Sequence, residues 1–103
     1  MIMKVLFVCS QGMSSTIAVN ALKKEAEKQG TQMDVLAVST QQFEEEVKKG
    51  YDISMVAPQI KHRFTLLKEQ ADKANVPCIP IEPMAYSPLG GPKLYKQVMD
   101  IVK

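Results

Sequence analysis

A chain of 103 residues, 46% hydrophobic and 23% charged, has room for one compact core, not two, and folds without staples. Its formal net charge of +2 is too small for a nucleic-acid binder, and its lysines are interspersed with glutamates, as in Lys23-Lys24-Glu25-Ala26-Glu27-Lys28, the pattern of a solvated helix face. Two widely spaced cysteines, Cys9 and Cys78, exclude a disulfide scaffold and point to a reducing, cytoplasmic setting; no run approaches the roughly 20 apolar residues of a membrane span, and Met1-Ile2-Met3-Lys4 does not open a signal peptide.

Met3 to Val8 is a short apolar run, expected as a strand covered on both faces. Ser14 to Gln29 is predicted as a helix, with Ile17, Ala18, Ala21, Leu22 and Ala26 on its apolar side. Ser14, Ser15 and Thr16 are suitable N-caps, and Gly30 is the expected stop. Met33 to Val38 is a second strand. Ser39 or Thr40 caps a short helix from Gln41 to Lys49, closed by Gly50; its acids Glu44–Glu46 precede Lys48 and Lys49, in line with the helix dipole. Asp52 to Ala57 is a third strand, broken by Pro58. Gln59 to Lys73 is predicted as one helix with Ile60, Phe64, Leu67 and Ala71 on one side. Pro77 to Ile81 is a fourth strand, its prolines indicating an edge. Glu82 to Gly91 is a loop, and Pro92 or Lys93 to Val102 is the last helix. The β-α alternation predicts an α/β fold: an open four-stranded parallel sheet with helices on both faces and right-handed crossovers, a single domain over 1–103.

The stretch "VLFVCSQGMSST" carries the chemistry. In an open parallel sheet, ligands sit at the carboxyl ends of the strands, where Cys9 lies. A loop leading into a helix there turns main-chain N–H groups inward and adds the helix's partial positive charge, an anion site. Gly12 allows close approach of the backbone. Ser10, Ser14, Ser15 and Thr16 add hydroxyl donors. An unperturbed cysteine has a pKa of about 8.5. A helix end contributes roughly 0.3–1 kcal/mol, or about 2 when partly buried, against about 1.4 kcal/mol per pKa unit. Cys9 is therefore expected to be largely thiolate at neutral pH and to accept a phosphoryl group, held by the N–H groups of Gln11 to Ser15. Cys78, between Pro77 and Ile79 with no glycine or hydroxyl cluster, is expected as core packing.

Two alternatives share this loop. A low-molecular-weight tyrosine phosphatase needs an arginine six residues after the cysteine to grip phosphate bidentately, where this chain has Ser15. It also needs a late-loop general acid, and Glu82 to Gly91 contains no aspartate. The site is equipped to accept and hold phosphate and poorly equipped to hydrolyse it. A flavodoxin-like flavin module needs aromatic rings on later loops to sandwich the flavin; the chain has no tryptophan, and Tyr86 alone is thin support for it.

"CSQGMSST" after "KVLFV", with "APQI" after the third strand, resembles the IIB component of the bacterial sugar phosphotransferase system, lactose/cellobiose type. The resemblance spans the chain, and Cys9, Ser10, Gly12, Met13 and Ser14 match the family's loop, on the cellobiose/chitobiose side. It implies a three-layer fold like that of the low-molecular-weight phosphatases and flavodoxins, and a cytoplasmic phosphocarrier. By that resemblance Cys9 takes phosphate from a phosphohistidine of a IIA protein and passes it to a cellobiose-, chitobiose- or oligo-β-glucoside-class sugar entering through a membrane IIC permease. No cofactor, metal or nucleic acid is implied. The donor histidine belongs to the partner; His62, beside Lys61 and Arg63, is a solvated helix residue. Pro58, Gln59 and Tyr86 are candidates for support of the loop or partner contact, and Met13 for an apolar contact with a docked protein. Tyr86 matches a family tyrosine, but Ser87 and Pro88 follow it where the family carries glycine.

Overall fold

The computed structural model describes residues 2–9, 16–85 and 89–102. Four parallel strands, β1 (Met3–Cys9), β2 (Met33–Ser39), β3 (Ile53–Val56) and β4 (Cys78–Pro80), form one sheet in the order β2-β1-β3-β4. Four α-helices alternate with them: α1 (Thr16–Lys28), α2 (Thr40–Glu46), α3 (Phe64–Lys73) and α4 (Gly91–Val102). The apolar run of β1 is central because both its neighbours and both its faces are covered. Val5 to Cys9 are all fully buried. Val5 and Phe7 join α1 and α4 residues Leu22, Leu94 and Val98 in one cluster. Leu6 and Val8 join Phe43 of α2 and Leu67 and Ala71 of α3 in the other. Removing each such large side chain from water stabilises the fold by about 1.5–3 kcal/mol.

The helix stops differ in chemistry and share a geometry. After α1, Gly30 takes φ 77°; its N–H donates to Glu27 O at 3.1 Å and Thr31 N–H to Ala26 O at 2.8 Å, the paired bonds of a left-handed C-terminal cap. After α3 the same bonds recur around a non-glycine residue. Asn75, at φ 60°, donates to Asp72 O at 3.0 Å, and Val76 to Ala71 O at 2.9 Å. Asparagine tolerates this region better than other side chains.

Three expectations need correction. The helix predicted over Gln59 to Lys73 is two pieces: a 3₁₀ segment Pro58–Arg63, then α3. Ile60 leaves helical geometry at φ −118°, ψ 27°, so its side chain is buried while the chain turns. The helix predicted over Gln41–Lys49 is α from Thr40 to Glu46 and tightens to 3₁₀ over Val47–Lys49 before Gly50 at φ 92°. Ile17 is 56% exposed, not on the buried side of α1; Val19 takes a buried place beside Ala18, Ala21 and Leu22. Strand β4 is an edge strand, as its prolines predict, and only three residues long.

Candidate functional site at the carboxyl end of the sheet

The strand order places β1 between β2, which follows it in the chain, and β3, which comes later. The crossovers leave β1 on opposite faces: α1 packs with α4, whereas α2 packs with α3. This reversal falls between β1 and β3, whose carboxyl ends are the usual ligand position in such sheets. Cys9 is the last residue of β1. Its register partner on β2 is Ser39. On the other side, Ala57 N–H donates to Val8 O at 3.0 Å, bringing the end of β3 alongside.

Cys9 is fully buried and belongs to the same cluster as Ala57 and Ile60. The "APQI" stretch thus reaches the cysteine's end of the sheet as expected. Ala57 is extended (φ −62°, ψ 145°), and Pro58 starts the 3₁₀ turn, where a missing N–H costs nothing. Ile60 N–H closes the turn on Ala57 O at 3.1 Å. Pro58 is half-buried. The backbone of Gln59 lies within this turn; its side chain is outside the described part. His62 and Arg63 are exposed.

Most of the expected cradle falls elsewhere. Ser10, Gln11, Gly12, Met13, Ser14 and Ser15 lie outside the described residues, as do Tyr86, Ser87 and Pro88. Thr16 is described as the first residue of α1, so the helix does begin within a few residues of Cys9.

Ser39 is a neighbour that sequence reading treated only as a cap. It precedes α2, and Gln42 Oε1 accepts from its N–H and its Oγ, both at 3.3 Å, in a capping-box arrangement. The parallel register Met3↔Met33 through Cys9↔Ser39 is the signal that would have found it.

Cys78 contrasts with Cys9. It opens β4, opposite Ser54, and is buried. Burial pushes its thiol pKa up, with the Ser54 hydroxyl pulling weakly the other way, so it stays protonated at neutral pH. Ser54, itself fully buried, donates its Oγ hydrogen to Pro77 O at 2.9 Å. No disulfide joins the two cysteines. Among the described residues there is no cluster of three or more His, Cys, Asp or Glu side chains suited to a metal ion, and no helix is long and apolar enough to cross a membrane.

Comparison with known proteins decides the family. The model for the lactose/cellobiose-specific IIB subunit of the phosphotransferase system matches residues 4–97. The chain belongs to that family. It is therefore a phosphotransferase component of sugar uptake. It is similar to the oligo-β-mannoside-specific EIIB component of Bacillus subtilis strain 168, at 30% identity over 96% of this chain and 95% of that protein. Two solved IIB structures share the fold. A lactose-specific IIB domain from Streptococcus pneumoniae superposes with TM-score 0.83 at 19% identity, covering 100% of both chains. A cellobiose-specific IIB protein from Borrelia burgdorferi superposes with TM-score 0.79 at 24% identity, covering 99% of this chain and 93% of that one.

Proposed function

We propose that the whole chain acts as a single cytoplasmic IIB domain whose Cys9 carries phosphate between a IIA protein and a sugar delivered by a IIC permease. The observation that supports it most is the position of Cys9, at the carboxyl end of β1 where the strand order reverses, in a chain of the IIB family.

The chemistry is two displacements at phosphorus. The Cys9 thiolate attacks the phosphorus of the donor's phosphohistidine; the S–P bond forms as the P–N bond breaks, and the electron pair leaves with the imidazole, which takes up a proton. A sugar hydroxyl then attacks phosphorus; the O–P bond forms, the S–P bond breaks, the hydroxyl proton goes to solvent or a base, and the thiolate is regenerated. Both steps depend on in-line positioning and charge stabilisation more than on covalent help from side chains. In this reading the Gln11 to Ser15 amides hold the phosphoryl oxygens, with Ser10, Gly12, Met13 and Thr16 shaping the cradle. Pro58, Gln59 and Tyr86 support the loop or touch a partner. The donor and acceptor proteins share one small site in turn, so each encounter is brief, with an interface below about 1,200 Å².

For the sugar we propose a β-linked oligosaccharide. The oligo-β-mannoside name of the Bacillus relative and the cellobiose-like loop sequence agree on that linkage.

The test is intact mass after incubation with the phosphorylated IIA donor. One phosphate per chain is expected, absent in Cys9→Ser and retained in Cys78→Ser. Phosphate that persists in Cys9→Ser at the same level overturns the assignment, and rapid turnover of para-nitrophenyl phosphate favours a phosphatase instead.

A further inference from the structure

We propose that Lys61 and Arg63 form a cationic rim beside Cys9 that draws in the phosphorylated donor protein and lets the spent donor go. The inference rests on the reading of Cys9 as the phosphoryl carrier.

Charge is spread unevenly over the molecule. All four strands are parallel, so each strand ends, and the next helix begins, at the same end of the sheet. Those connections, taken with the first turn of each helix, are 10–19, 40–43, 57–67 and 81–94. The first two contain no charged residue. The third holds Lys61 and Arg63, and the fourth Glu82 and Lys93. Without these four residues the 13 cations and 11 anions of the chain fall to ten of each. The whole formal charge of +2 therefore belongs to the end where Cys9 lies. Glu82 and Lys93 line one groove together and offset each other. Lys61 and Arg63 are not offset: the ion pairs among the described residues are Lys49–Glu46 and Lys68–Asp72. A merely solvated helix face mixes its signs, as α1 does; this segment carries one sign only.

The segment is held in place from both sides. Buried Ile60 and half-buried Phe64 pack on the cluster that contains Cys9. Lys61, His62 and Arg63, between those two anchors, are exposed. Ile60 N–H donates to Ala57 O at 3.1 Å, and Phe64 N–H donates to Lys61 O. The departure of Ile60 from helical geometry sets this turn apart from α3.

A phosphoryl group carries about −1.5 to −2 charges. Before transfer it lies on the donor, which meets a positive field at the rim. Steering of this kind raises association rates by about tenfold or more and fades with salt, because the Debye length is only about 10 Å at 0.1 M. After transfer the same charge sits on Cys9 and offsets Lys61 and Arg63. The spent donor then feels no added attraction and leaves. The acceptor side gains nothing from the rim, since the phosphate is already on Cys9 when it docks. The occupant is therefore the phosphorylated donor.

The experiment follows phosphoryl transfer from phosphorylated IIA protein to the full chain by rapid quench, between 50 and 500 mM salt. Lys61→Glu with Arg63→Glu should lower the second-order rate constant about tenfold at 50 mM salt and leave the limiting rate at saturating donor within about twofold. At 500 mM the parent and this variant should converge. Lys61→Arg with Arg63→Lys should match the parent. Lys23→Glu with Lys24→Glu, the same charge change on the exposed face of α1, should stay within about twofold of it. Unphosphorylated IIA should inhibit the parent and the charge-reversed variant with constants within about twofold of each other. Equal losses for phosphorylated and unphosphorylated IIA would make the two residues an ordinary contact with the donor's own surface and overturn the proposal. A parent-like rate constant for the charge-reversed variant at 50 mM salt overturns it too. If no phosphate reaches Cys9 in any of these proteins, the carrier reading itself fails, and the rim with it.

Discussion

The two ends of the sheet do different work. At the amino end, side chains stitch the strands and helices together. Lys4 N–H donates to Asp52 Oδ2 and Asp52 N–H to Lys4 O, both at 2.8 Å. The Tyr51 hydroxyl donates to Glu46 Oε2 at 2.5 Å, Lys49 pairs with Glu46 at 3.1 Å, and the Lys4 ammonium lies 5.6 Å from the Tyr51 ring centre. Thr31 and Tyr95 share a hydrogen bond of 2.6 Å. At the carboxyl end, the described framework is mainly backbone turns, with a buried sulfur where β1 finishes. The difference separates the two ends in kind: charged and polar networks hold one, and at the other main-chain turns surround the buried Cys9.

That division can be broken by substitution. The largest effect is expected at Cys9. Cys9→Ser should lower phosphoryl uptake at least about a thousandfold, since the proposed nucleophile is lost, and cost only about 1–2 kcal/mol of stability, as a buried hydroxyl replaces a buried thiol. A large fall in stability with only partial loss of transfer would blur the boundary between the two ends.

The next effect is structural and lies at the carboxyl end, which sharpens the contrast. A Cβ on Gly90 would sit 1.9 Å from Ala85 O, and one on Gly91 2.6 Å from Ala21 O. Backbone must move in either case, so Gly90→Ala should cost about 3 kcal/mol in denaturant unfolding. Gly30→Ala, at φ 77° but in open space, should cost about 1 kcal/mol. Equal costs would show that the Ala85–Gly90 approach relaxes easily.

Smaller effects belong to the amino-end network and to Cys78. Cys78→Ser should cost about 1–2 kcal/mol, as a buried hydroxyl replaces a thiol, and leave transfer unchanged. In iodoacetamide labelling at neutral pH, Cys78 should lag well behind Cys9. Tyr51→Phe should cost about 1 kcal/mol near neutrality, with a distinctive pH profile. The Tyr51 hydrogen bond, aided by Lys49, holds the Glu46 carboxyl below its ordinary value. That contribution is present above about pH 4.3 and is lost as pH falls through the depressed value. Burial, and then the bond to Glu46, push the Tyr51 phenol well above its ordinary value. That contribution is full below about pH 10 and disappears as pH rises through the raised value. The gap between parent and variant in chemical-denaturation stability should therefore be flat at mid-range and close at both extremes. Transfer activity should not change.

Much of the frame was legible because it depends on local signals. Short apolar runs, alternating spacing and edge prolines were enough for four strands in β-α order, and Gly30 was enough for the end of α1. What stayed hidden depends on contacts between distant segments. The break at Ile60 serves burial beside Cys9, which no local pattern reveals, and the apolar spacing of Ile60, Phe64, Leu67 and Ala71 runs straight through it. Asn75 takes the left-handed cap usually given to glycine. Ile17 fits the periodicity of α1 but lies on its solvent side. At the site, the position of Cys9 at a strand end was readable, and so was the arrival of "APQI". The neighbour Ser39 was not, because it depends on how β1 and β2 align.

Gly90 stands where the chain enters α4, and any side chain there would have to displace the Ala85 carbonyl. One missing methyl group thus sets where the last helix begins.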